Sequence, residues 1–331
     1  MEKAVAVILI LCLCLMPVQI QAKSVTSGTD DNGNKWTYNT STKTIVFTGD
    51  KAISDFTLNG HDREPYWYRW SNKTEHIVIE EGITGIGRNA FADFVNAKTV
   101  VLPDSVKVIG EDAFENNQSL RTIKIPDGVA KIGNGVFAGC EKLEEIQMPA
   151  QIKKIGRLEG CKKIKSICFP DTVNYLEEGI LWGCEALTNV KLPCDLKEIK
   201  PHDFSDCRRL KRIILPKRVK SVSMSAFAGT GLKKISLPSK VHTIKRGTSG
   251  RKVFSYEKGL TYPTKNLRVI EIHSKEVKSI QKNSFSGLSS KVVIKVPKSK
   301  KKKYTKMLRK SGLSKKVKIV AIEKEARKYE K

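Results

Sequence analysis

The sequence lacks the motifs of the common enzyme classes. No glycine-rich phosphate loop follows a strand pattern, and no His-Glu-x-x-His or nucleophile-elbow motif is present. The chain has only five histidines, and they fall at unrelated places along it. We therefore predict that the protein is not an enzyme, with no catalytic residues, no metal site and no cofactor. An enzyme whose active site is composed of scattered residues is the remote alternative.

A second long apolar run is also missing. The first one, Ala4–Val18, has fifteen residues and follows Lys3. A membrane span needs about 20 apolar residues, so this run is typical of a secretory signal peptide, here residues 1–22. An uncleaved anchor helix is the alternative. After cleavage we expect no transmembrane span and a secreted protein that can associate with the cell surface.

Acidic residues are scarce relative to basic ones. The chain has 34 Asp and Glu against 61 Lys and Arg, for a net charge of +27. Residues 291–331 hold seventeen Lys and Arg against three Glu, so this last eighth contributes +14. The positive electrostatic field that results from this net charge attracts anionic partners, but it does not indicate the fold.

The chain does contain a repeat of about 23 residues. Its clearest copy is Thr122–Ile146, in which Ile123, Ile125 and Pro126 open the unit. The same proline returns with spacings of 23, 23, 21, 23, 23 and 22 residues, at Pro103, Pro126, Pro149, Pro170, Pro193, Pro216 and Pro238. A fixed period in this range predicts a solenoid.

Each repeat is interpreted as one coil of that solenoid. The alternation in Ile123–Ile125 predicts a short strand with two inward residues, and Pro126 ends it. Gly133 is expected to permit a second bend. One coil cannot bury its own apolar face, so nine or ten stacked coils would share one core.

The repeats set the predicted boundaries. Residues 23–75 form an N-terminal β cap module, in which Lys35–Tyr38 and Thr44–Thr48 are strands. The solenoid spans 76–296, with about nine repeats, a final strand and an insertion at 245–266. Residues 297–331 form a basic C-terminal cap and tail, with a short helix around Met307 and Leu308 and an edge strand near Val317–Ile322.

An aromatic cluster precedes the first repeat and has two interpretations. Tyr66, Trp67, Tyr68 and Trp70 could form a sugar-binding platform, or they could cover the first coil of the solenoid. We favour the cover, because the terminal repeat of a solenoid exposes a core that needs one.

The repeat resembles the BspA-type leucine-rich repeat of secreted and surface proteins. The pattern L-x-x-I-x-L-P-x-x-V-x-x-I-G-x-x-A-F-x-x-C covers about two thirds of the chain, and its proline, glycine, Ala-Phe and cysteine positions all fall in register. The resemblance implies an α/β repeat solenoid of leucine-rich repeats with short parallel strands. It also implies extracellular display and binding, usually in adhesion, rather than catalysis.

The outward residues of the strands are the first candidate binding surface. One per coil would stand in a row, represented by Lys124, Gln147, Lys191, Ile214 and Ser236. The basic and partly aromatic insertion is the second, through Arg251, Tyr256 and Tyr262. The partner would be an extracellular protein or polysaccharide, and we expect a monomer. An ordinary solvated sheet face is the alternative.

The lysine run after the last strand is the third candidate surface. Lys298, Lys300, Lys301, Lys302 and Lys303 would hold anionic envelope polymers. This suggests an alternative function, a structural envelope component retained by charge. A solubilising face is a further interpretation. No nucleic acid is expected, since no aromatic residues interleave the run for base stacking.

Four cysteines recur three residues after the Phe-type position of successive repeats. They are Cys140, Cys161, Cys184 and Cys207. We predict buried free thiols that bond to the backbone, although the spacing of neighbouring coils would also permit disulfides. Cys168 and Cys194 lie off this column and are predicted to face solvent.

Overall fold

The repeats form a β-solenoid whose coils each contribute strands to two parallel lanes. The computed structural model describes residues 25–57, 65–246, 266–285 and 288–323. The predicted signal segment 1–22 lies outside these ranges, as does most of the predicted insertion 245–266. The repeat solenoid with short parallel strands is confirmed.

The first lane is the strand lane that the sequence predicts. Neighbouring strands pair in parallel, so that equivalent residues stand side by side: Ile123 lies beside Ile146, and Ile235 beside Ile270. Residues 211–216 of the seventh coil form no strand. The strands of this lane are His76–Ile79, Thr99–Val101, Thr122–Lys124, Glu145–Gln147, Ser166–Cys168, Asn189–Lys191, Lys234–Leu237, Val269–Ile272, Val293–Val296 and Lys318–Ala321.

A second lane, which was not predicted from the sequence, follows the proline turn of each coil. Its strands are shorter and also pair in parallel, for example Ile109 beside Ile132. One hydrophobic residue of each strand points into the core. The strands are Gly85–Ile86, Val108–Ile109, Lys131–Ile132, Lys154–Ile155, Tyr175–Leu176, Glu198–Ile199, Ser221–Ser223, Thr243–Lys245 and Ser279–Ile280.

The turn between the lanes has the same form in the seven coils that carry the proline. The amide of Val129 donates to the carbonyl of Pro126 at 3.0 Å, and the amide of Val173 donates to that of Pro170 at 3.1 Å. Proline supplies a fixed φ and no backbone donor, which suits the residue that ends pairing along the strand. The remainder of each coil returns through turns, so the described part of the chain contains little helix.

Aromatic rings and leucines fill the core from coil to coil. Phe91, Phe114 and Phe137 are fully buried, and their rings stack at centroid distances of 5.5 and 6.0 Å. Leu158 and Leu181 take the equivalent positions in the next two coils, after which Phe204 and Phe227 stack at 5.9 Å. Each ring therefore packs against the ring of a neighbouring coil.

Three strands precede the repeats and extend the first lane. Lys35–Asn39 and Thr44–Thr48 appear where they were predicted, and Val25–Thr29 is an additional antiparallel strand. Thr44–Thr48 then pairs in parallel with His76–Ile79. The aromatic cluster lies against these strands.

Trp67 is the most deeply buried residue of the aromatic cluster. It is fully buried, lies 4.8 Å from the Phe47 ring and 5.0 Å from the Phe56 ring, and donates through Nε1 to the carbonyl of Ala90 at 2.8 Å. This packing agrees with the interpretation of the cluster as a cover for the first coil.

The other end of the core is packed by a helix, Lys301–Lys310, and by the strand Lys318–Ala321. Tyr304 is fully buried, its hydroxyl donates to the carbonyl of Ser274 at 3.0 Å, and it accepts from the amide of Val277 at 2.9 Å. Gly312 has a φ of +93° just after the helix, which suits the predicted helix stop. The short helix and the edge strand both lie where the sequence placed them.

Gly133 has a different role from the one expected. Its φ is not in the left-handed region, so conformational freedom is not what requires glycine there. A Cβ at Gly133 would lie 2.5 Å from the backbone nitrogen of Glu111, and one at Gly110 would lie 2.7 Å from that of Arg88. This column of glycines therefore allows the backbones of neighbouring coils to approach closely.

We predict that Gly133→Ala destabilises the protein by about 1–3 kcal/mol, because the added methyl group meets backbone that cannot move aside cheaply. Gly128→Ala is the matched control. Its Cβ would clash only with the flexible Lys107 side chain and would lie at an ordinary contact distance of 3.4 Å from the Asp104 carbonyl, so the change should stay within about 1 kcal/mol. Urea unfolding measures both, and equal midpoints for the two variants would contradict the close approach.

Candidate binding surface

The structure aligns the predicted outward residues in one column of the first lane. Gln147 lies directly beside Lys124, and Lys191 directly beside Cys168. Lys124, Gln147 and Lys191 are exposed, whereas Ser236 is half-buried. The column therefore presents one side chain per coil at the strand spacing of about 4.8 Å.

Ile214 is the most exposed large hydrophobic residue of the described chain, at 87% exposure. It belongs to the seventh coil, where the first lane has no strand. Val101 is the other notably exposed aliphatic residue of the column, at 40%. Isolated apolar residues of this kind are common on protein surfaces, so they do not by themselves define a binding patch.

Glu271 departs from the expected exposed row, because it is buried. Its carboxylate lies 2.9 Å from Lys234 Nζ and 3.1 Å from His273 Nε2, and it accepts a hydrogen bond from the Ser236 hydroxyl at 3.2 Å. Lys295 Nζ lies 3.6 Å away. Burial alone would raise the pKa of Glu271, but Lys234 and His273 hold it below its ordinary value. The carboxylate is therefore charged and covered by cations.

The lysine run belongs to a folded part of the chain rather than to a loose tail. Lys298–Lys300 is a 3₁₀ turn, and the helix begins at Lys301. Lys300 is half-buried and the other four lysines are exposed. Lys298 also lines an open depression of about 530 Å³ together with His273 and Lys275. These cations are presented beside the last coils, where an anionic polymer could contact them.

The insertion residues Arg251, Tyr256 and Tyr262 lie outside the described residues. Their predicted binding role stays a prediction. The described chain stops at Arg246, which follows a strand of the second lane, and resumes at Asn266, just before the buried Leu267.

A small pocket of about 360 Å³ lies at the N-terminal edge of the first lane. Tyr38 and Trp70 line it and stack at a centroid distance of 4.4 Å, and Lys73 lies over the Trp70 ring. Lys43 and Glu75 complete its polar side through an ion pair of 2.6 Å. Trp70 is thus a partly exposed aromatic residue beside the buried cover, Trp67.

One group of carboxylates on the return turns has an altered pKa. Burial, together with the charges of Asp112, Asp93 and Glu159, raises the pKa of Glu115 to about 7. Neither cavity described above is lined by this group. Within the described ranges, no three or more His, Cys, Asp or Glu side chains are placed to hold a metal ion.

The four cysteines of the column are buried free thiols. Each donates to the carbonyl of the Phe-type residue one coil earlier: Cys140 to Phe114 at 3.3 Å and Cys161 to Phe137 at 3.1 Å. Asn117 makes the same bond to Phe91 at 2.8 Å. The column therefore supplies a donor to a buried carbonyl, which confirms the expected bonding to the backbone.

Burial makes these thiols unreactive. It raises the pKa of Cys140 and Cys184 to about 12, and that of Cys161 and Cys207 well above the ordinary value. Since the thiolate is the reactive form, these thiols stay protonated in the folded protein at neutral pH. Cys168 and Cys194 are exposed, as predicted.

We predict that alkylation of the native protein at pH 8 modifies Cys168 and Cys194 and spares the column, which becomes reactive only in denaturant. Peptide mapping by mass spectrometry distinguishes the six sites. The melting temperature should barely change with reductant. Labelling of Cys161 in the native protein at the rate of Cys168, or a large loss of stability on reduction, would contradict this arrangement.

No helix within the described ranges is both long and apolar enough to cross a membrane.

The family profile described as the BspA type leucine rich repeat region matches residues 63–159, 157–261 and 258–328. No curated protein sequence matches the chain.

Several solved structures are similar to the chain. A leucine-rich repeat protein from Bacteroides ovatus is 21% identical, with 92% of this chain and 79% of that chain covered and a TM-score of 0.47. A leucine-rich cell surface protein from Faecalibacterium prausnitzii is 17% identical, with 89% and 94% covered and a TM-score of 0.43. The leucine-rich repeat protein of T. pallidum is 23% identical, with 58% and 90% covered and a TM-score of 0.41.

Proposed function

We propose that this chain, which belongs to the BspA-type leucine-rich repeat family, binds a macromolecule outside the cell through the outward face of its first strand lane. The binding would serve adhesion or recognition, and the partner would be an extracellular protein or polysaccharide. The proposed secretion rests on the signal-like segment 1–22.

The observation that carries this proposal is the regular column of exposed side chains along the first lane. Lys124, Gln147 and Lys191 are exposed outward residues of first-lane strands in three coils, and Ile214 takes the equivalent place in the sequence of the seventh coil, where the lane has no strand. Repetition of one short strand per coil produces an extended surface that can contact a long ligand at many points. The catalytic alternative has less support. The carboxylate group around Glu115 lines neither cavity, and Glu75, which lines the N-terminal pocket, is held in ion pairs with Lys43 and Lys98.

A second function is favoured by a separate observation, the lysine run. Lys298, Lys301, Lys302 and Lys303 are exposed within a folded end of the chain. Such a surface supports retention on anionic envelope polymers, which would make the protein a structural component of the envelope. This retention requires no contribution from the first lane, so the two functions are separable.

The test is an array of extracellular-matrix proteins and polysaccharides probed with the purified protein and two triple variants. Lys124→Ala, Lys191→Ala and Ile214→Ala remove two cations and one exposed aliphatic residue from the first lane. Lys131→Ala, Lys153→Ala and Val108→Ala remove the same kinds of residue from the second lane.

We expect a specific hit that the first-lane variant loses by about tenfold or more and that the second-lane variant keeps, because contacts at the centre of an interface carry most of its free energy. Equal effects of the two variants would contradict the first lane as the binding face. Retention on isolated cell walls without any array hit would favour the structural function instead.

A further inference from the structure

The charge of the protein is divided unevenly along the solenoid. Residues 1–206 contain 24 Lys and Arg against 28 Asp and Glu, a net charge of −4. Residues 207–331 contain 37 against 6, a net charge of +31. The lysine run accounts for only part of this excess, because residues 207–270 alone hold 17 Lys and Arg and one acidic residue, Glu257.

The structure shows where part of this excess lies on the coils. In each coil, we compare the two residues that directly follow the buried Leu-type residue. Where the coil has a first-lane strand, the strand begins at the second of these two residues. In coils near the N-terminus these positions are balanced in charge: Lys98 pairs with Glu75, and Arg121 lies 3.8 Å from Glu144. The next two coils place Lys165 and Thr188 there. Ordinary ion pairing therefore neutralises this edge of the lane.

The same two positions are cationic in the seventh and eighth coils and in part of the ninth. They follow the buried residues Leu210, Leu232 and Leu267. All five cations are exposed, and we call them the basic ridge: Lys211, Arg212, Lys233, Lys234 and Arg268. Acidic residues are absent from these positions in the three coils.

Two of the five cations are already engaged within the protein, Lys234 in an ion pair and Arg268 in a hydrogen bond from Nη1 to the carbonyl of Leu267 at 2.9 Å. Lys234 is paired with the buried Glu271, and within the described ranges no carboxylate lies within ion-pair distance of Lys211, Arg212 or Lys233. The amide of Arg268 donates to the carbonyl of Lys233 at 2.9 Å, so the eighth and ninth coils stack in register at this edge, and Lys211 and Arg212 precede them in the strandless segment of the seventh coil. With strands about 4.8 Å apart, the ridge spans about 10 Å along the solenoid axis.

We propose that the basic ridge binds a linear acidic polysaccharide that lies along the solenoid axis. Carboxylate and sulfate groups spaced along such a chain would meet one or two cations per coil, and Arg212 can bind them in a bidentate manner. An acidic polysaccharide is thus the class of partner that we assign to the extracellular binding proposed above, and this assignment rests on that proposed function.

Three other polyanions fit the ridge less well. The ridge includes no aromatic side chain on which the bases of a single-stranded nucleic acid could stack. Among the described residues, Ile214 is the one strongly exposed large hydrophobic residue near the ridge, so this part of the surface offers a membrane little apolar area. An extended acidic peptide would gain from pockets for alternate side chains, whereas Ile214 protrudes from the surface. A sugar chain needs only cations at regular spacing.

The test compares two triple variants of the full chain with equal loss of charge. The first variant interrupts the ridge through Lys211→Thr, Arg212→Asn and Lys233→Thr. The preceding coil has Thr188 and Asn189 at the positions equivalent to Lys211 and Arg212, so these replacements already occur in the repeat. Lys131→Thr, Lys153→Thr and Lys220→Thr remove three exposed cations from the second-lane face. All six residues are exposed, so both variants should fold, which circular dichroism checks.

The probe is a heparin oligosaccharide, with dextran of similar size as the neutral comparison. The unmodified protein should bind heparin and not dextran. The ridge variant should lose about tenfold in affinity for heparin at 0.15 M salt. Its plot of log affinity against log salt should become less steep, by about two units of slope. The second-lane variant should stay within about threefold of the unmodified protein, because distant exposed charges are screened.

Three outcomes would overturn the proposal that the ridge binds an acidic polysaccharide. They are no heparin binding, equal losses of heparin affinity in the two variants, or competition by poly(dT) or poly-L-glutamate as effective as that by heparin. The proposed function fails differently. It fails if the first-lane variant Lys124→Ala, Lys191→Ala and Ile214→Ala retains every array hit, and that result is independent of the ridge variant.

Discussion

Stacking of one coil on the next is the interaction on which the rest of this structure depends. A single coil of about 23 residues has an inward apolar face that it cannot cover by itself, because its strands are only two to four residues long. Parallel pairing with the next coil covers that face and satisfies the backbone at the same time. The core is therefore a row of nearest-neighbour contacts, as in the stack of Phe91, Phe114 and Phe137.

This dependence explains several residue choices that look unrelated in the sequence. Cys140 and Asn117 differ in chemistry, yet each donates a side-chain hydrogen bond to a buried carbonyl of the preceding coil and so links two coils. Gly110 and Gly133 lie where the backbones of two coils approach too closely for a Cβ. Trp67 then packs on the first coil, which has no earlier repeat to stack on.

The sequence predicted the features that repeat with a visible pattern. The proline spacing revealed the first lane, and the cysteine spacing indicated buried donors. The second lane was missed because strands of two residues, such as Lys131–Ile132, are too short to show alternation. The burial of Glu271 depends on Lys234 in one neighbouring coil and Lys295 in the other, which no local pattern reports. The basic ridge was also missed because its residues come from different coils. The cation pairs after Leu210 and Leu232 stand out only when the sequences of the coils are aligned.

The most direct test of the nearest-neighbour core is a pair of double-mutant cycles measured by denaturant unfolding. Phe114→Leu and Phe137→Leu alter stacked rings, whereas Phe114→Leu and Phe227→Leu alter rings in distant coils. The account predicts a coupling free energy of about 0.5–3 kcal/mol for the neighbouring pair and additivity within about 0.5 kcal/mol for the distant pair. Equal coupling in the two cycles would contradict a core built from contacts between adjacent coils.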